Sequence, residues 1–277
     1  MAPKAIVRPP WPTTAGVEAK RAVRPARATS TATNITAPLL LALLVVAAWQ
    51  LATQRSSLPA WALPSPSEFA SRFALEIARP QLWQALSWTA YEAALGALLG
   101  TAVALPLAYL IYRFKLVAAA VEPFLGATQA IPAIALAPLL VLWIGYGTAA
   151  IVALCALMVF FPILLTTTLG LRQLDRDVLE AATLDGASGW HLLWNIEGPL
   201  ALHAITTGLR NGFTLSITGA VVGEMVMGGT GLGMVLTAQR HAVDTAGMFV
   251  TIALLCVLAM TIYTALYLLE RWWVRQY

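Results

Sequence analysis

Few residues of this 277-residue chain are of types that do chemistry, and their spacing argues against catalysis. The two cysteines, Cys155 and Cys256, sit inside apolar runs and read as small packing residues, not as a disulfide or metal pair. His191, His203 and His241 are far apart and show no ligand spacing. No metal motif, phosphate-binding loop or nucleophile elbow is present. The acids that do cluster lie in Asp177-Val-Leu-Glu180-Ala181-Ala182-Thr-Leu-Asp185-Gly186, a polar island that continues through His191 to Ile196-Glu-Gly-Pro199. Glu180 follows Asp177 by three residues, the spacing of a capping box that satisfies free amides at a helix start. Gly186 stands where a left-handed helix stop is wanted. Ser188 is placed to cap a second short helix carrying Trp190, Leu193 and Trp194, expected to end at Gly198-Pro199. These acids are spaced to build a rigid helix, and Ala181 and Ala182 would let another surface approach it closely. The competing reading is an ordinary loop whose tryptophans rest in a headgroup zone.

The elements around that island are apolar. The chain is 59% hydrophobic and 11% charged, where soluble domains carry about 25% charged residues. It cannot cover a water-facing surface and must lie in a bilayer. A crossing helix needs about 20 apolar residues. Six segments qualify, near 36–54, 85–112, 117–143, 148–171, 199–227 and 245–270. The third contains Pro123, Pro132 and Pro138 and is expected to be kinked or broken. The fold expected is all-α and integral to the membrane: a permease domain over 34–277, preceded by a disordered basic tail over 1–33. The tail carries Lys4, Arg8, Lys20, Arg21, Arg24 and Arg27 against Glu18, and is too long and Pro-rich for the start of a cleaved signal peptide. It accounts for most of the net charge of +4, which reads as a topology signal and not as a nucleic-acid footprint.

Lysine and arginine accumulate on the cytoplasmic side. The tail, Arg113 with Lys115, Arg172 with Arg176, and Arg271 with Arg275 then all lie inside, with both termini cytoplasmic. External loops fall at 55–84, 144–147 and 228–244. The first also holds Arg55, Arg72 and Arg79, balanced by Glu68 and Glu76, so the rule is not cleanly obeyed. Within it, Leu63-Pro64-Ser65-Pro66-Ser67 reads as a turn into a short amphipathic helix on the outer surface.

Inside the spans, Gln129, Pro132, Asn211, Thr214, Ser216, Thr218 and Glu224 are the candidates for lining a solute path. Gln129 falls roughly 20 Å past Lys115 at 1.5 Å per residue, beside Pro132, where a broken helix frees carbonyls. An interhelical hydrogen bond is the equal alternative for Gln129. Glu224, roughly 37 Å past Pro199, should sit near the outer mouth. There it would gate or receive substrate, or pair with Arg240 across the Gly228–Gly233 turn, the pairing being slightly preferred. A carboxylate at the mouth would also disfavour an anionic substrate. Glu92 and Glu122 fall near segment ends, as interfacial residues would, and are given no role. Gly96 and Gly100 form a GxxxG read as a helix-packing site.

The island has a further property. Glu180-Ala181-Ala182, three residues, Gly186, nine residues, Ile196, one residue, Gly198 and Pro199 resembles the EAA loop of permeases of bacterial ABC importers. Gly198 stands where that pattern has leucine. Leu63-Pro64-Ser65-Pro66, Thr128-Gln129-Ala130-Ile131-Pro132, Ala137-Pro138-Leu139-Leu140, Trp143-Ile-Gly145-Tyr146-Gly147 and Phe160-Phe161-Pro162 are similar to permeases for sulfonates, taurine, nitrate and thiamine-precursor pyrimidines. Gly219-Ala220-Val221-Val222-Gly223-Glu224 looks closest to the hydroxymethylpyrimidine and riboflavin branch.

The resemblance implies a type I importer permease in the inner membrane, with a cytoplasmic coupling helix between spans four and five. Asp177, Glu180, Ala181, Ala182, Asp185, Gly186, Ile196 and Pro199 would couple it to a separate ATPase, which carries the ATP and Mg. Its other implied partners are a second copy of the permease, whose interface holds the path, and an external binding protein. The implied cargo is a small organic solute, a pyrimidine or riboflavin, with sulfonate, taurine or nitrate as the alternative. An ion-coupled secondary transporter would show inverted repeats and buried ionisable residues. No repeat and few such charges are detected. A membrane enzyme would want clustered histidines or carboxylates near one membrane face, and the acids in 175–197 are spaced for helix capping instead.

Overall fold

The computed structural model describes residues 31–55, 63–129 and 132–274, and every regular element among them is helical. The chain divides at Leu51 into two compact units. The first contains most of α1 (Thr31–Arg55), which includes the apolar stretch Leu40–Gln54. The helix begins inside the stretch expected to be tail; residues 1–30 lie outside the described residues.

The second unit opens on α2 (Pro66–Ile77), the short amphipathic helix expected there. The capping box forms at this helix. Glu68 N–H donates to Ser65 Oγ at 3.3 Å, and Ser65 N–H donates to Glu68 Oε2 at 2.8 Å. Arg72 on α2 pairs with Glu76 at 2.9 Å and Asp244 at 2.5 Å, which ties α2 to the start of α11 (Thr245–Val274).

Among the described residues three helices are long and apolar enough to cross a membrane: α3 (Pro80–Arg113), α6 (Thr148–Arg172) and α11. A fourth crossing is formed if the helical run Gly189–Met227, which ends in α9 (Gly198–Met227), and α10 (Leu232–His241) are taken together, bent by 52°. The expected third span is two shorter helices, α4 (Lys115–Gln129) and α5 (Ala133–Ile144), on either side of the anticipated break at Pro132. The 228–244 segment is not the loop expected. Gly231 starts α10, which folds back against α9 and α11.

The core runs along α6, which is flanked by α3 and α9. Gly96 and Gly100 make the close approach expected of them. A methyl group on Gly96 would lie 2.8 Å from the Val152 carbonyl oxygen, and one on Gly100 2.7 Å from that of Ala156. Both obstacles are α6 backbone, which cannot rotate away. Cys155, whose Cβ stands directly against Gly96, is buried between α3 and α9, its thiol donating to the Ser216 carbonyl of α9 at 3.4 Å. Cys256 is exposed on α11, and both thiols are free.

Candidate functional site

Between α6 and α9 the chain forms α7 (Arg176–Leu184), the short α8 (Gly189–Leu192) and a π-helical turn (Leu193–Glu197) that leads directly into α9. The cap of α7 is Asp175, whose Oδ1 accepts from Asp177 N–H at 3.0 Å. This corrects the expected Asp177–Glu180 capping box: the helix begins two residues earlier, which places Asp177 in its first turn and leaves Glu180 exposed on its outer surface. The helix end is as anticipated. Gly186 adopts φ +93°, Gly186 N–H reaches the Thr183 carbonyl at 3.1 Å, and Ala187 N–H reaches that of Ala182 at 3.0 Å. That is the paired bonding of a Schellman stop.

No residue of α7 is buried. Val178, Glu180, Ala181 and Leu184 are exposed. A nine-residue helix is too short to persist on propensity, so its two caps hold it.

Ser188 precedes α8 but makes no side-chain cap. The helix also does not stop at Gly198-Pro199. Gly198 N–H bonds to the Leu193 carbonyl, five residues back, and Pro199 occupies the first turn of α9, where its missing N–H costs nothing. Gly198 suits this bulge, since a Cβ would lie 2.8 Å from the Leu193 oxygen. Ile196 is half-buried in the same turn. Trp190 and Trp194 are each 72% exposed and border an apolar groove of about 1150 Å³ lined also by Leu105, Tyr109, Pro199 and Leu202.

Two polar ties anchor this region, and sequence reasoning missed both. Glu197 is buried and accepts from the Tyr112 hydroxyl at 3.2 Å, fastening the π turn to the end of α3. Arg210 is 8% exposed, 3.3 Å from Glu270 Oε2, with its guanidinium 5.4 Å from the ring centres of both Tyr263 and Tyr267. Glu270 also meets His203 Nδ1 at 3.0 Å. The available signal was Arg210 itself, a cation inside an apolar run that demands a partner. Glu122 is exposed and pairs with Arg172, joining α4 to α6.

The path candidates do not share one face. Asn211 and Thr218 are exposed on α9, with Thr214 half-buried between them and donating to the Arg210 carbonyl at 2.8 Å. Thr214 and Thr218 line a cavity of about 260 Å³ with Ile217, Val221, Ile252 and Cys256. Ser216 faces the other way, buried against α6. Pro132 is exposed, while the Gln129 side chain lies outside the described residues.

Glu224 is 0% exposed and does not pair with Arg240, whose guanidinium lies 3.3 Å from the His241 ring. Its Oε1 accepts from the Thr89 hydroxyl at 2.7 Å and its Oε2 from Gly233 N–H at 2.5 Å. Glu92, on α3, is buried as well, at 1% exposure. Glu224 faces protein and so presents no charge to an anion at the mouth. Among the described residues no group of three or more His, Cys, Asp or Glu is arranged to hold a metal.

Long apolar helices joined by this exposed helical elbow are the architecture of a membrane transport subunit. Residues 94–275 match the family model described as binding-protein-dependent transport system inner membrane component, and the chain belongs to that family as an ABC importer permease. It is 41% identical to the riboflavin transport system permease protein RibX of Chloroflexus aurantiacus, over 86% of this chain and 88% of that one. It is 32% identical to the formylaminopyrimidine transport permease protein ThiX of Halalkalibacterium halodurans (84% and 92%). To the putative aliphatic sulfonates transport permease protein SsuC of Escherichia coli the identity is 31% (86% and 91%). Among solved structures, an inward-facing MetNI methionine ABC transporter matches with a TM-score of 0.62 at 18% identity, over 69% of this chain and 94% of that one.

Proposed function

We propose that this permease imports riboflavin or a closely related flavin or pyrimidine, and that α7 is the element through which a separate ATPase drives it. One observation carries the second part: α7 is capped at both ends, buries nothing, and presents Glu180 and Ala181 outward between two long membrane helices. Among the described residues such a helix packs only lightly, against the π turn that follows it. Asp177 and Asp185 flank its exposed surface, and Ile196 and Pro199 pass its displacement into α9 through the π turn. ATP and Mg belong to the ATPase. Ion-coupled transport has no such element.

The substrate reading rests on 41% identity across most of both chains with a riboflavin permease, ten points above the sulfonate relative. In the full reading the chain makes six crossings, with α1 first and the broken α4–α5 pair third. Both termini are cytoplasmic, and two copies enclose the path along the Asn211–Thr214–Thr218 face. An external binding protein delivers the solute; sulfonate, taurine and nitrate are the alternative cargoes.

The test is radiolabelled riboflavin uptake in cells lacking their own riboflavin importer and expressing the permease with its ATPase and binding protein. Uptake that is lost in a Glu180→Arg variant, with the variant still present in membranes but no longer co-purifying with the ATPase, is expected. Undiminished uptake in that variant refutes the coupling role. Uptake of taurine but not riboflavin by the wild type refutes the substrate.

A further inference from the structure

The apolar groove beside the elbow has one wall from the end of α3 and another from α8, the π turn and the start of α9. Its elbow wall carries Gly189, Gly198 and Pro199, which have too little side chain to fill the space. At about 1150 Å³ it exceeds the roughly 300–1,000 Å³ of a pocket for a compact ligand. Leu110, Phe114, Trp190, Trp194 and Leu200 are exposed along it. A contiguous apolar surface of this kind is costly in water and at home against hydrocarbon.

Charge decides what kind of molecule fits. The ionisable groups lining the groove are Arg113, His203 and the Tyr109 phenol, and no carboxylate joins them. Glu197, in the π turn, is buried and accepts from Tyr112. Glu270, which meets His203, is buried and paired with Arg210. Arg172 at the end of α6 has Glu122. Among the described residues no carboxylate pairs with Arg113, or with Lys115 two residues on, and both are exposed.

Depth agrees with charge. Arg113 is the last residue of α3, so its guanidinium lies where a crossing helix leaves the hydrocarbon. Trp190 and Trp194 border the groove at the same end of the bundle. An indole, with an apolar body and one N–H donor, settles at headgroup level. The molecule that matches is long and apolar at one end and negatively charged at the other.

We propose that this groove binds an anionic phospholipid, with an acyl chain laid along the apolar walls and the phosphate held by Arg113. The lipid wedges between the end of α3 and the elbow, and so braces the π turn that Glu197 already ties to Tyr112. A zwitterionic lipid fills the same space but brings no net charge to Arg113. The site is independent of the cargo and of the ATPase.

The test uses the full chain in phosphatidylcholine nanodiscs doped with lipid brominated on its acyl chain, which quenches tryptophan fluorescence on contact. The chain has ten tryptophans, so the groove signal is the difference between wild type and Trp190→Phe/Trp194→Phe. Half of that signal should be quenched at a mole fraction about five-fold lower for brominated phosphatidylglycerol than for brominated phosphatidylcholine, the preference expected of one basic side chain at a membrane surface. Arg113→Gln should remove the preference and leave quenching by the phosphatidylcholine. Arg113→Lys should keep most of it. Both changes fall at an exposed helix end, where the fold tolerates them. Equal quenching by the two lipids in wild type overturns the proposal, since the groove is then an unselective lipid face. A preference that survives Arg113→Gln overturns it too, as does one carried wholly by the other tryptophans. Groove tryptophans that neither lipid reaches also overturn it, and mean that a second copy of the chain covers the groove.

Discussion

Removing the Glu270 carboxylate should expose how Arg210 is held. Arg210 lies in the α9 run at 8% exposure, and its partner Glu270 on α11 is 7% exposed. Glu270→Ala leaves a buried guanidinium without its countercharge, a loss that costs about 3–5 kcal/mol when such a pair is broken from one side. The two tyrosine rings at 5.4 Å remain as cation–π partners, each worth about 0.5–2 kcal/mol. This places the loss at the low end, about 3 kcal/mol. At about 2–4 °C per kcal/mol for a chain of this size, the midpoint should fall by about 6–12 °C. Arg210→Met should cost less, because Glu270 keeps His203. The double variant Arg210→Met/Glu270→Leu should recover most of the loss, since replacing both buried charges with apolar groups is often neutral. The assay is thermal unfolding in nanodiscs followed by tryptophan fluorescence. A shift below about 2 °C for Glu270→Ala, or a double variant no more stable than the sum of the single losses, would show that the pair is not a coupled unit.

Three other perturbations test separate parts of the structure. Gly186→Val forces a β-branched residue to φ +93°, at a cost of roughly 1–2 kcal/mol. It should abolish uptake while membrane levels hold, read by transport assay and immunoblot; normal uptake would mean that α7 need not be rigid. Gly96→Leu drives a side chain into the Val152 carbonyl of α6 and should lower the yield of folded protein sharply, by more than the about 1–3 kcal/mol of ordinary overpacking; size-exclusion of the detergent-solubilised protein reads it. Tyr112→Phe removes the hydroxyl that Glu197 accepts from and should cost about 1–3 kcal/mol, seen as a lower unfolding midpoint, with ATP-coupled uptake reduced because the π turn is no longer tied to α3.

Much of this fold was legible because the bilayer imposes a crude rule. Long apolar runs became α3, α6, α9 and α11, and the prolines around Pro132 marked a real interruption. Gly96 and Gly100 pointed to close packing because nothing else explains two glycines one turn apart in a span. The capping box on α7 was misread for a local reason. Asp175 and Asp177 are both acceptable caps two residues apart, and only the backbone conformation at Asp175, φ −66° and ψ 120°, selects the first. Gly198-Pro199 reads as a helix stop, yet a five-residue bond lets the helix run through it. The glycines before α10 likewise look like a loop until Glu224 and Thr89 are seen to accept its first amides.

The sequence by itself determined the class of this protein. Its composition requires a membrane, and the polar spacing between its apolar runs marks the exposed helix α7. Those are properties of one-dimensional order, hydropathy and local capping. The pairing of ionisable groups was decided only by the tertiary structure. Arg72 and Asp244 are 172 residues apart and Arg210 and Glu270 are 60 apart. What each acid does depends on which helix faces it across the bundle. Periodicity tells that a helix has a buried side, but the choice of partner on that side is made by packing three or more helices at once.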